Sequence, residues 1–169
     1  DDAVLSKYKL NPLMPEPTTR TPVTIPAKIG NYNIVEIGQD CFEGPVKDKV
    51  YRITIEDGHV VTVGTGSFSG CKNLEWVFIG NSVKEIGPNA FSDCTALENV
   101  EFSTTGKLDY KLGEINYLIG DDDETWANEI SIDETAFATN SDRLTFHGAI
   151  HKGYRPFEIA MSANNSNLL

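Results

Sequence analysis

Cysteine is scarce in this chain: three residues in 169, at positions 41, 71 and 94. They are too few and too scattered for a disulfide framework. No CxxC pair is present to build a zinc ribbon, and the odd count leaves at least one thiol unpaired. Long apolar runs are also missing, and none approaches the roughly 20 residues that span a bilayer. There is no initiator methionine and no basic stretch leading into an apolar one, so the expectation is that any secretion signal has been removed. Cations are in short supply: 14 Lys and Arg against 25 Asp and Glu give a net charge of −11. Such a surface repels phosphate backbones and argues against nucleic acid as a partner. No Ser, His and Asp stand in a known catalytic order, and no Gly-rich phosphate loop appears.

The composition that remains, 40% apolar and 23% charged, is that of a folded chain long enough for one domain. Its organisation is periodic. "IVEIGQDCF", "VVTVGTGSF", "VKEIGPNAF" and "EISIDETAF" end at Phe42, Phe68, Phe91 and Phe137, at intervals of 26, 23 and 46 residues. Five residues before each Phe stands Ile37, Val63, Ile86 or Ile132, followed by Gly38, Gly64, Gly87 or Asp133, residue types suited to a tight turn. After the Phe, "VYRITI", "LEWVFI" and "LENVEF" share an apolar-x-x-apolar-x-apolar pattern, while "TPVTI" and "RLTF" keep its last two apolar positions. Alternation at the end of each unit predicts a strand.

A period of 20–29 residues with one strand per unit predicts a leucine-rich-repeat solenoid of about five coils. The expected form is a right-handed horseshoe, β-rich and poor in helix, with short parallel strands on one face, of the kind grouped with α/β leucine-rich-repeat folds. No coil can bury its apolar edge alone, so the recurring Phe, Ile and Leu must stack in columns. The interval of 46 is twice 23, which places a degenerate coil or an insertion near 103–129, with "LGEINY" at 112–117 as its candidate strand. Cys71 and Cys94 fall three residues after the Phe, where the last copy has Asn140. A shared Cys/Asn column predicts an inward, hydrogen-bonded thiol rather than a nucleophile, since no His lies at a fixed offset. Cys41 belongs to a small-residue column with Ser67, Ala90 and Ala136.

The stretches "VTIPAKIGNYNIVEIGQDCF", "VKEIGPNAFSDCTALENVEF" and "RLTFHGAIHKGYRPFEIAM" resemble the BspA-type leucine-rich repeats of bacterial cell-surface proteins. The resemblance implies a secreted or surface-anchored bacterial protein with binding or adhesive roles, no catalysis and no cofactor. Its partner would be a host or bacterial surface protein or a glycan. The chain divides into an N-terminal cap or tether (1–20), a solenoid (21–146) and a C-terminal cap leading into a linker (147–169), as in a piece of a longer protein.

Metal sites are weakly signalled. In "GDDDE" at 120–124 the carboxylates are consecutive, so neighbours point apart, and a solvated loop is preferred to calcium binding. His147 and His151 are four apart, but Gly148 and Gly153 argue against a helix that would let them share a zinc. His59 stands alone in a turn.

The strand faces are more informative. If Val77 and Ile79 point inward, Trp76 and Phe78 point outward onto the concave sheet. Register then places Arg52, Trp76 and Asn99 in one row and Thr54, Phe78 and Glu101 in the next. Arg52 is positioned to stack on Trp76. Two large aromatics on an open sheet face mark a candidate interaction site for protein binding or adhesion. A sugar stacked on Trp76 is the alternative, and a structural spacer that displays other domains is another.

Overall fold

The computed structural model describes residues 1–6, 20–103 and 130–147. The strands are β1 (Asp2–Leu5), β2 (Thr21–Ile25), β3 (Lys28–Ile29), β4 (Tyr32–Ile37), β5 (Val50–Ile55), β6 (Thr62–Val63), β7 (Trp76–Ile79), β8 (Glu85–Ile86), β9 (Asn99–Phe102), β10 (Ser131–Ile132) and β11 (Thr145–His147). Among the described residues the only α-helix is one turn, α1 (Val46–Lys49), in the segment that replaces the Cys-containing turn of the other coils. The strands form two sheets, ordered β1-β4-β6-β8-β10 and β2-β5-β7-β9-β11, and each of five coils gives one strand to each. All of these pairings are parallel; β3 alone folds back antiparallel on β4. The chain is thus a repeat solenoid.

The sheet β1-β4-β6-β8-β10 departs from the expectation of strands on one face. It contains the apolar position five residues before each Phe, but most of its strands are two residues long. Two residues cannot display an alternation, so nothing in the sequence marked them as strands.

The core lies between the sheets. Phe42, Phe68, Phe91 and Phe137 are fully buried and form a continuous column, with centroids 4.9, 5.0 and 5.2 Å apart; Phe42 is tilted on Phe68, and the other two pairs are stacked. Ile37, Val63, Ile86 and Ile132 form a second buried column, and Val50, Leu74 and Leu97 a third. Cys41, Ser67, Ala90 and Ala136 are all fully buried, as a small-residue column requires.

One local expectation is refined and another corrected. The glycines that follow Ile37, Val63 and Ile86 lead into turns, as expected, but do not themselves have left-handed backbone. Gly64 is required by close approach: a Cβ there would lie 2.6 Å from the carbonyl oxygen of Ile37 in the previous coil. Left-handed residues sit two places after each Phe, at Gly44 (φ 66°), Gly70 (φ 74°), Asp93 (φ 57°) and Thr139 (φ 56°), and two places before Phe42, Phe68 and Phe91, at Asp40 (φ 48°), Gly66 (φ 60°) and Asn89 (φ 54°). In "RLTF" the register is also displaced. Phe146 pairs with Val100, not with Phe102, and Leu144 is buried one apolar position earlier. The last coil has an extra residue between Asn140 and Leu144 and one fewer between Leu144 and Phe146.

The degenerate coil is corrected as well. β10 pairs directly with β8, and β11 directly with β9. No coil lies between them, so the doubled interval is an insertion between adjacent coils and its match to two periods is coincidental. "LGEINY", the acidic run 120–124, His151 and the C-terminal segment lie outside the described residues. At the other end, β1 pairs with β4 and closes the two-residue-strand sheet.

Candidate functional site

The outer face of the five-stranded sheet holds the six residues singled out above. In β5, β7 and β9 the inward positions Ile53, Ile55, Val77, Ile79, Val100 and Phe102 are buried, so the residues between them face out. Cα pairing joins Arg52 to Trp76 and Thr54 to Phe78. It then joins Trp76 to Asn99 and Phe78 to Glu101. The rows extend through β11 to Thr145 beside Asn99 and His147 beside Glu101, and through β2 to Pro22 and Thr24.

Trp76, Phe78, Asn99, Glu101 and Thr54 are half-buried and Arg52 is exposed. The Arg52 guanidinium lies over the indole, 5.3 Å from the ring centroid, within the range of a cation–π contact. The indole Nε1 is itself buried and, among the described residues, without a hydrogen-bond partner. On the far side of Trp76, the ring Nε2 of His147 lies 3.1 Å from Oδ1 of Asn99. His147 is the last residue of a strand, so it is not placed on a helix with His151, and its sequence signal as a metal ligand does not apply. Its role in the row was missed because β11 was read one apolar position out of register.

At the start of the strands a row of charges is fully paired. Arg20 forms an ion pair with Glu75 and lies over the Tyr51 ring at 4.9 Å, and Arg143 pairs with Glu98. Neither pair was visible in the sequence, because Arg20 lies outside the repeat and Arg143 stands in the copy whose register is displaced.

The thiols occupy an interior column. Cys94 Sγ donates to the Phe68 carbonyl at 3.3 Å. Asn140 Nδ2 donates to the Phe91 carbonyl at 2.7 Å, one coil on. The two side chains do the same work, which explains their exchange at one repeat position. All three cysteines are buried thiols and none is in a disulfide. Burial pushes the Cys71 thiol up to about 12, against a small opposing influence from Lys47. The Cys94 thiol is raised well above its ordinary value, chiefly by burial and then by Cys71. Among the described residues no group of His, Cys, Asp and Glu is arranged to hold a metal, and no helix is long and apolar enough to cross a membrane.

Stacked coils with recurring Phe and Cys/Asn columns and an open parallel sheet define a leucine-rich-repeat protein. The chain belongs to the BspA type leucine rich repeat family, whose profile matches residues 24–111 in six copies. No curated protein matches it. Among solved structures it is similar to a leucine rich repeat protein of T. pallidum, at 23% identity and a TM-score of 0.44 over 49% of this chain and 41% of that one. The described coils continue through β10 and β11, beyond the matched residues.

Proposed function

We propose that this is a non-enzymatic domain of a secreted or surface-attached bacterial protein, and that it mediates protein–protein interaction or adhesion through the outer face of its five-stranded sheet. Membership of the BspA-type family supports the surface setting, and leucine-rich repeats typically bind proteins. The observation that carries the choice of face is the pair Trp76 and Phe78. They stand next but one along β7, half-exposed at the middle strand of five, with Arg52 stacked on the indole. Central aromatic and Arg side chains are the residues that dominate protein interfaces.

The glycan alternative has Asn99 and Glu101 in its favour as hydroxyl partners. The guanidinium of Arg52 counts against it, because it covers a face of the indole on which a sugar would stack. Protein binding therefore fits the geometry better.

The test compares Trp76→Ala with a turn variant, Lys72→Ala, in one pull-down and adhesion assay, with folding checked by circular dichroism. Lys72 is exposed and lies in the turn after the Phe column. A loss of affinity of about thirtyfold with Trp76→Ala alone is expected, the equivalent of the ~2 kcal/mol that marks a hot spot. Equal binding by both folded variants moves the site elsewhere and leaves the spacer reading ahead. Binding confined to a glycan array and abolished by Trp76→Ala supports the sugar reading.

A further inference from the structure

The charges of the five-stranded sheet divide into two sets. Those at the strand starts, Arg20, Glu75, Glu98 and Arg143, satisfy one another. Those flanking the aromatic pair do not. Among the described residues Arg52 meets only the indole, a contact that leaves its charge without a counter-ion. Glu101 is half-buried between Phe78 and His147 in its row, and His147 turns its ring nitrogen to Asn99 instead. Among the described residues, a cation and an anion without an ion-pair partner thus stand on opposite sides of Trp76 and Phe78.

Their placement is diagonal. Glu101 lies two strands over and two residues along from Arg52, a Cα separation of roughly 12 Å by ordinary strand spacing and rise. That distance is spanned by about three or four residues of extended chain. Glu101 is half-buried, so it gains more from an opposite charge than a fully hydrated surface ion would, while Arg52 is exposed and open to a ligand. Arg52 offers a planar fork to a carboxylate. The chain's overall charge of −11 disfavours a purely acidic ligand.

We infer that this face takes an extended peptide segment carrying an acidic and a basic residue three or four positions apart, with an apolar residue between them. The acidic side chain meets Arg52, the apolar one rests on Trp76 and Phe78, and the basic one meets Glu101. This rests on the protein-binding reading of the face and adds the chemistry of the partner.

The probe is a displayed library of random dodecapeptides, selected on the whole chain and counter-selected on Trp76→Ala. Enriched sequences are then synthesised, alongside versions with the acid changed to its amide and the base to Gln. Affinities are measured for the native chain, Arg52→Glu, Glu101→Lys and the double exchange, all checked for folding. The expected result is enrichment of the acid–apolar–base spacing and a loss of about tenfold or more for each neutralised peptide and each single variant. The double exchange should prefer the peptide with its charges reversed. Peptides that need Trp76 but lack this spacing, or that ignore both charge reversals, overturn the inference and leave the binding face standing. If no selected peptide depends on Trp76, the inference and the face both fall.

Discussion

Thr139 occupies a backbone position that three other coils give to Gly44, Gly70 and Asp93, all with positive φ. A β-branched residue suits that conformation badly, and the left-handed region costs an L-residue about 1–2 kcal/mol. Its hydroxyl donates to Asp93 Oδ1 at 2.5 Å, a contact at the exposed surface that offsets little. Thr139→Gly should therefore raise stability by ~0.5–1 kcal/mol after the greater unfolded-state freedom of glycine is deducted, whereas Thr139→Val should not. Urea midpoints for the two variants check this. The buried thiols make a second residue-level claim. The Cys71 thiol is raised from 9.0 to about 12 by burial, so below pH 9 both folded and unfolded chains keep the proton. Between pH 9 and about 12 the unfolded chain alone releases it, and stability falls with pH across that window. Cys71→Ala should show a shallower alkaline decline than the parent, read from urea midpoints at pH 8 and pH 10.5. Equal declines would mean that the thiol is exposed. The Cys/Asn column was legible in the sequence because two residue types that donate a hydrogen bond alternate in it. The left-handed column was not legible, because Gly, Asp and Thr share a backbone conformation there and no side-chain chemistry.

At the scale of the element, each strand is stabilised by what stacks on it. Phe91 stands between Phe68 and Phe137, with centroids at 5.0 and 5.2 Å and ring planes within 14° and 4° of parallel. Removing it opens a cavity shared by three coils, and such truncations cost about 3–5 kcal/mol. Phe91→Ala should lower the urea midpoint far more than the exposed Lys72→Ala, and the loss should pass to both neighbouring coils through their interfaces. Similar midpoints would contradict the column. β5, β7 and β9 could be read from the sequence together with their partners across the sheet, because a slip of one residue would bury Arg52 and expose Val77. That steric constraint also made the Arg52–Trp76 contact foreseeable. β11 was placed wrongly because its coil gains one residue and loses another around Leu144. A pattern of apolar letters hides such compensating changes.

For the whole molecule, the main question is what the 104–129 segment contributes. The stack passes it by: Ile132 pairs with Ile86, and Phe146 with Val100, as closely as any two consecutive coils. The rings follow suit, with Phe146 6.2 Å from Phe102 and 5.0 Å from Phe137. In a solenoid each coil draws its stability from its neighbours, and here the neighbours on either side of the insertion already touch. Closing a loop costs entropy that grows only slowly with length, about 0.6 kcal/mol for each doubling. Replacing 104–129 with a short Gly/Ser linker should therefore leave the coils folded, with a cooperative transition and a stability within about 1 kcal/mol of the parent. Circular dichroism and urea unfolding would show it. A shortened chain that loses cooperative unfolding would mean that the insertion carries part of the core. The same variant bears on function: if it still binds protein through Trp76, the 104–129 segment is not needed for the site, which the outward rows of the five-stranded sheet then hold.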